Sequence, residues 1–310
     1  MKNILTLDIG GTNIRAAHVS LGEDGFKIVR KLKQATGSEP LEVIIHLIES
    51  LLSEGGKEIK TVGLSVAGIV DPQDCILLKS PNIAKLEGTN FRKLLEERYQ
   101  LRCIVENDAN AAAYGERVAG AGREFEDFVL FTLGTGIGGG VVMNGRLLSI
   151  PAEIGHISID IDGPQCPCGN VGCFETYASA SAIISRAISQ IEDGAQSILK
   201  SIHNGNFYKM NAEDIYKAAL EGDMLARTVL KDAGKAFGIG IASVVNIFGP
   251  QAIILTGGLI GAWNIYVEAA IREASRRAFK ELISKVKILP SQLADDAGLT
   301  GIAYLASEAV

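Results

Sequence analysis

Apolar residues recur along this chain with two periods, and the switches between them mark its elements. Ile4–Leu7 is a short β-rich run, Gly10-Gly11 interrupts it, and Ile14–Ser20 resumes it, which predicts a hairpin. Pro40–Leu52 sets Leu41, Ile44, Ile45, Ile48, Leu51 and Leu52 at helical spacing. This predicts an amphipathic helix stopping at Gly55-Gly56. Thr61–Val66 reads as a buried strand, Phe91–Tyr99 as a helix and Arg102–Val105 as a strand that enters an alanine-rich helix near Asp108. Strands at Leu130–Leu133 and Ile137–Val142 flank a second glycine turn. Beyond it the pattern predicts helices over Thr176–Ile191, Ala212–Leu220, Met224–Phe248 and Ala262–Leu282, and a final helix from about Gly298. Strands Ala252–Leu255 and Val286–Leu289 lie among them, and residues 192–211 read as a polar loop. The alternation of strands with helices is that of an α/β protein.

The two strand, glycine turn, strand units stand about 125 residues apart, which suggests a duplicated domain. The first carries Asp8, Gly10, Gly11 and Thr12, the second Gly134, Thr135 and Gly136. A third turn, Gly257-Gly258, follows the strand Ala252–Leu255. Glycine lets backbone N–H groups approach a phosphate closely, and Asp8 at the mouth of the first turn could hold Mg²⁺ through water. Each turn alone could equally serve only to reverse the chain. There is no G-x-x-x-x-G-K-[ST] loop and no G-x-G-x-x-G that opens a helix after a strand.

Composition narrows the class. The chain has 310 residues, 47% apolar and 21% charged, as for an ordinary globular protein of two domains. Its net charge is −6 without a Lys/Arg cluster, which argues against a nucleic-acid footprint. No apolar run reaches membrane-span length, the first residues enter a strand at once, and the expected location is the cytoplasm.

Cysteine changes the picture most. Of five cysteines, three fall within eight positions, Cys166, Cys168 and Cys173, and His156 precedes them. The spacing H-x9-C-x-C-x4-C, with Gly163, Pro164, Pro167, Gly169 and Gly172 bending the chain, predicts a tetrahedral Zn²⁺ site. Three thiolates and one imidazole leave no position for water, so the metal is expected to be structural. Glu153 and Glu175 bracket the ligands.

The segments EIGH, CPCGNVGCFE and ENDANAAAYGE resemble those of the repressor, open-reading-frame, kinase (ROK) family of sugar kinases and sugar-responsive repressors, and the resemblance spans nearly the whole chain. It implies two actin-like (ribonuclease H-like) lobes around a hinge cleft. The first lobe would hold residues 1–117 plus about 297–310, the second 118–296 with the zinc motif. It implies ATP, Mg²⁺ and structural Zn²⁺, and transfer of phosphate to the C6 hydroxyl of a hexose. Glucose comes first, with N-acetylmannosamine, fructose, mannose and allose as alternatives. Asn82, Asn107, Glu153, His156 and Glu175 would hold sugar hydroxyls. Gly68, which follows Ala67 where the family usually has proline, would offer its backbone. Thr12, Thr135 and the three glycine turns would hold the nucleotide. Asp108 reads locally either as part of a helix cap or as a general base, and the resemblance implies the base. A homodimer is expected, with a tetramer as alternative, and no nucleic-acid or membrane partner. The other class is a sugar-responsive transcriptional regulator. Such proteins carry a helix-turn-helix ahead of the first hairpin, where only seven residues precede Asp8 here.

Overall fold

Strand β1 (Lys2–Ile9) lies in the middle of the first sheet, and its alternation sets what each face of that sheet must meet. In the computed structural model, which describes residues 2–22, 25–53 and 59–309, β2 (Asn13–Gly22) returns antiparallel to β1 and β3 (Gly25–Ala35) pairs outside β2. Helix α1 (Pro40–Ser53) leads to β4 (Thr61–Val66), parallel to β1. A ribbon of β5 (Ile69–Asp71) and β6 (Ile76–Lys79) and helix α2 (Phe91–Tyr99) precede β7 (Arg102–Asn107), parallel to β4. Leu5, Leu7 and Ile9 of β1 join Val62, Leu64, Val66, Cys103 and Val105 in one buried cluster with α1 and α2. The alternate positions, Ile4, Thr6 and Asp8, point to the other face.

Helix α3 (Asp108–Ala119) follows β7 without a loop. A second sheet has the order β10-β9-β8-β11-β12. It is built from β8 (Phe128–Leu133), β9 (Ile137–Met143), β10 (Arg146–Leu147), β11 (Ala252–Thr256) and β12 (Lys287–Pro290). Its helices are α4 (Glu175–Ala178), α5 (Ala180–Glu192), the short α6 (Ile202–Gly205), α7 (Ala212–Leu220), α8 (Met224–Phe248), α9 (Glu268–Arg277) and α10 (Lys280–Ile283). Helix α11 (Ala297–Glu308) closes the chain. Two compact units result. One comprises Met1–Leu130, Gly140–Ala152 and Ser291–Val310, the other Phe131–Gly139 and Glu153–Pro290.

In the first unit α11 covers the second face of the first sheet, with Leu299, Ala303 and Ala306 against Ile4, Ala17 and Val19. Its contact with α3 is backbone on backbone. A Cβ on Gly301 would stand 1.7 Å from the carbonyl oxygen of Ala111, and one on Gly115 2.2 Å from that of Ala297. The buried carboxylate of Glu116 accepts from the N–H groups of Ala121 (2.6 Å) and Leu293 (2.9 Å) and from the Ser291 hydroxyl, anchoring the segment that leads into α11. The second unit is centred on Phe131, Phe174, Phe237 and Tyr266, whose hydroxyl donates to the carbonyl of Ala178 (2.9 Å).

Four expectations differ from what is found, the mildest being the polar loop over residues 192–211, which carries short helical turns at Ile198–Ser201, Ile202–Gly205 and Phe207–Lys209. Strand β3 was not expected, because its charged residues Lys27, Arg30, Lys31 and Lys33 dilute the apolar alternation. Such charges are what an exposed edge strand carries. The helix expected over Thr176–Ile191 breaks at Ser179, whose hydroxyl accepts from Ala182 N (3.2 Å) while Ala180 N donates to Gly134 O (2.9 Å). The helix expected over Ala262–Leu282 begins as tight and wide turns and breaks at Ala278–Phe279, where Phe279 N donates to the Asn246 side chain (3.0 Å). The stop expected at Gly55-Gly56 lies outside the described residues. No helix among the described residues is long and apolar enough to cross a membrane.

The α3–α11 contact gives a stability test. Gly301→Ala is expected to destabilise the protein by about 1–3 kcal/mol through overpacking. Gly261→Ala, whose Cβ would meet nothing within 4 Å, should change stability by about 0.5 kcal/mol or less. Denaturant unfolding of the two variants checks the difference.

Candidate functional site

The first unit gathers several of the predicted residues at the C-terminal ends of its parallel strands. Register places Arg15, Asp8, Ser65 and Glu106 in one row across β2, β1, β4 and β7. The Ser65 hydroxyl donates to Asp8 Oδ1 (3.0 Å), and Arg15 donates to Asp8 Oδ2 (3.1 Å) and to Asp295 (2.9 Å). Burial pushes the Asp8 carboxyl above its ordinary range, and Ser65 and Arg15 offset only part of that shift. A carboxylate so placed gains from a nearby cation.

Beyond Asp8 the first glycine turn is pinned at both ends by Thr36, whose N–H donates to Thr12 O (3.0 Å) and whose hydroxyl donates to Gly10 O (2.6 Å). Gly11 and Thr12 are exposed, and Gly11 backs onto Asn82: a Cβ there would stand 2.8 Å from the Asn82 Cβ. Gly68 has φ +130° and no room for a side chain, since a Cβ would lie 2.4 Å from Lys79 O. Its carbonyl accepts from Asn107 Nδ2 (2.9 Å). Gly11 thus lies against Asn82, and Gly68 is tied to Asn107.

The helix cap is resolved at the next residue pair. Asn107 is the N-cap of α3, its Oδ1 accepting from Ala109 N (2.9 Å) and Asn110 N (3.1 Å). Asp108 is the first helical residue, and its Oδ1 also accepts from Ala109 N (2.9 Å). The capping role open to this segment therefore falls chiefly to Asn107. Glu106, to which the sequence reading gave no role, holds the pair from behind. Its Oε1 accepts from Asn107 N (2.9 Å) and Asn110 Nδ2 (3.1 Å). Arg15 and Ser65 belong to no motif in the sequence either. The hairpin period alone would have set Arg15 opposite Asp8, whereas the pairing with Ser65 needs the parallel register of β1 and β4.

The second unit holds the other predicted residues. Its glycine turn closes with Gly134 N donating to Gly136 O (3.0 Å), and Thr135 at the tip is exposed. Glu175, at the start of α4, accepts from Ile137 N (2.6 Å) and so braces this turn from behind. Gly257 has φ +99°, and a Cβ there would stand 2.4 Å from Leu133 O. That brings the third turn against the strand that feeds the second. Around Gly134 and Gly258, by contrast, a Cβ would meet nothing within 4 Å.

The ligand atoms of His156, Cys166, Cys168 and Cys173 all lie within 4.8 Å of one another. His156 Nδ1 is 3.5 Å from Cys166 Sγ, and Cys168 Sγ is 3.7 Å from Cys173 Sγ. Sulfurs at about 2.3 Å from a tetrahedral ion would be about 3.8 Å apart, so the spacing fits such an ion. Burial pushes Cys173 up to about 12 and Cys166 upward as well. For Cys168 burial is outweighed by the Asn170 N–H and the neighbouring thiols, which hold it low. His156 Nε2 points the other way, 3.8 Å from Glu153 Oε2, as when a carboxylate orients a metal-bound imidazole. Gly155 fixes the turn that carries His156, since a Cβ there would meet Ile137 O at 2.2 Å.

The sequence profile of the ROK family matches residues 4–309. The chain belongs to the ROK family. It is 33% identical over 316 residues to the glucokinase of Thermotoga maritima, covering 99% of this chain and 98% of that protein. It is also 30% identical to the xylose repressor of Bacillus spizizenii, covering 99% of this chain but 74% of the repressor. Among solved structures it is similar to a ROK family glucokinase from Streptomyces griseus in complex with glucose and AMPPNP. The TM-score there is 0.86, with 31% identity and 99% of each chain covered. This ROK protein accordingly has the actin-like ATPase fold.

Proposed function

We propose that this ROK protein is an ATP-dependent hexose kinase that phosphorylates the C6 hydroxyl, with glucose as its first substrate. The observation that carries the reading is the end-to-end similarity to a glucokinase, in a chain whose Asp108 leaves the main capping of α3 to Asn107. Asp108 takes the proton from the sugar hydroxyl as the new P–O bond forms. Asn82, Asn107, Glu153, His156, Glu175 and the Gly68 backbone hold the sugar's hydroxyls. Among the described residues, Asn107 Nδ2 donates to Gly68 O alone, which leaves its second amide hydrogen for a sugar oxygen. The turns at Gly10-Gly11, Gly134–Gly136 and Gly257-Gly258, with Thr12 and Thr135, hold the nucleotide. Asp8 is the residue that would hold Mg²⁺ through water, and when bound the ion spreads the charge of the transferring phosphate. His156, Cys166, Cys168 and Cys173 would hold Zn²⁺, which when bound cross-links the segment between Glu153 and Glu175.

A second reading, a sugar-responsive regulator without catalysis, is favoured by the match to the xylose repressor. A panel of glucose, N-acetylmannosamine, fructose, mannose and allose in a coupled ADP-release assay separates the two. Turnover of none of these sugars by folded protein that binds one of them would favour the regulator.

Asp108→Asn keeps shape and hydrogen bonding while deleting the basic site. Its kcat should fall at least about 100-fold with sugar and ATP binding nearly unchanged. Retention of more than about a tenth of wild-type kcat would assign Asp108 to helix structure alone.

Gly134 supports the phosphate reading from a different side, because neither φ nor neighbours within this chain require glycine there. Gly134→Ala should leave stability within about 0.5 kcal/mol of wild type and raise the ATP KM by about tenfold. An unchanged ATP KM would make the turn purely structural.

One zinc per chain is expected by elemental analysis of active protein. Cys168→Ser should lose it, with a lower melting temperature or a higher sugar KM. Metal-free protein of full activity would refute the assignment.

A further inference from the structure

The first unit contains two more cysteines, which none of these roles uses. Cys75 ends the turn between β5 and β6, and Cys103 lies in β7 on the face packed against α1 and α2. They are 0% and 1% exposed, although Pro72, Gln73 and Asp74 just before Cys75 are exposed. Cys75 has φ 56°, a left-handed conformation that residues with a side chain seldom adopt. It is held there by its surroundings. Asp71 Oδ1 accepts from Gln73 N (2.9 Å) and Asp74 N (3.1 Å), and Phe91 N donates to Cys75 O (3.0 Å).

The sulfur of Cys75 meets three unlike groups. Its thiol donates to the carbonyl oxygens of Cys103 (3.4 Å) and Pro72 (3.7 Å), and the Cys103 side chain is close enough to act on it electrostatically. Arg92, in the first turn of α2, brings Nη2 to 3.4 Å from the same sulfur. A structural core cysteine ordinarily has neither a guanidinium nor a second thiol beside it. The Cys103 thiol, with the Arg92 charge adding and burial opposing, lowers Cys75 to about 6, while Cys103 is driven upward. Of the two sulfurs, Cys75 is the one whose thiolate is favoured.

We propose that Cys75 and Cys103 form a hydroperoxide-sensitive dithiol, in which Cys75 is oxidised first and Cys103 resolves it as an intramolecular disulfide. The Cys75 thiolate attacks a peroxide oxygen, the O–O bond breaks, and hydroxide leaves as Cys75 becomes a sulfenic acid. The Cys103 sulfur then attacks the Cys75 sulfur and gives up its proton, the S–O bond breaks, and water leaves. The two sulfurs lose two electrons in all and the peroxide gains them. The cross-link would tie the β5–β6 ribbon, which runs from Gly68 toward Asn82, to the strand that ends at Asn107. The inference stands on unit-one geometry and does not depend on the kinase reading.

The test uses the full-length protein under native conditions with hydrogen peroxide, followed by thiol blocking and peptide mass spectrometry. A Cys75–Cys103 disulfide peptide is expected. Cys103→Ser should instead trap Cys75 as a sulfenic acid that reacts with a carbon-acid probe. Arg92→Gln should slow loss of the Cys75 thiol by about tenfold, as its thiolate fraction falls. Should Cys103→Ser fail to fold, the wild-type map decides alone. The proposal fails if Cys75 and Cys103 remain reduced at peroxide doses that oxidise the exposed Cys168, or if Cys75 pairs only with another cysteine.

Discussion

The rest of the first unit depends on two helices whose backbones touch. Where α3 meets α11, Gly115 and Gly301 leave no space even for a methyl group, so the axes approach as closely as backbone allows. Glycine inside a helix costs about 1 kcal/mol relative to alanine, and the packing it permits offsets that. The contact places the start of α3, and with it Asn107 and Asp108, relative to β1. It also brings Gly298 beside Asp8, with a Cβ position 3.2 Å from Oδ1. Asp8 and Gly298, almost three hundred positions apart, are thereby brought together, and Glu116 secures the segment that makes the connection.

The three glycine turns look alike in sequence and differ in surroundings. Gly257 needs its positive φ, and Gly11 needs to admit Asn82, so both are explained by the chain itself. Gly134 and Gly258 have open space where a side chain would go, so nothing within this chain requires glycine there. The cysteines divide in a similar way. Three stand with His156 at distances suited to a tetrahedral ion, and two stand with an arginine and with each other.

Glu175 shows how a single side chain can serve both levels. It is expected beside the His/Cys cluster as a sugar ligand, and it accepts the Ile137 N–H that braces the second glycine turn. A change there would therefore disturb the turn as well as anything bound at the carboxylate. The same holds for Asn107, which caps α3, reaches Gly68 and stands next to Asp108.

Sequence by itself determined whatever local periodicity and ligand spacing control. The hairpin strands, the helices at Phe91–Tyr99, Ala212–Leu220 and Met224–Phe248, and the clustering of His156 with three cysteines were legible, because each rests on residues close in the chain. Strand β3 was hidden by its edge charges, and the breaks at Ser179 and Ala278 by partners, Gly134 and Asn246, that lie far away in sequence. Only the tertiary structure decided the row of Arg15, Asp8, Ser65 and Glu106, the transfer of the cap to Asn107, and the meeting of Cys75 with Cys103. Parallel strand register and close helix packing join residues from distant segments, and no local pattern records which of them will meet.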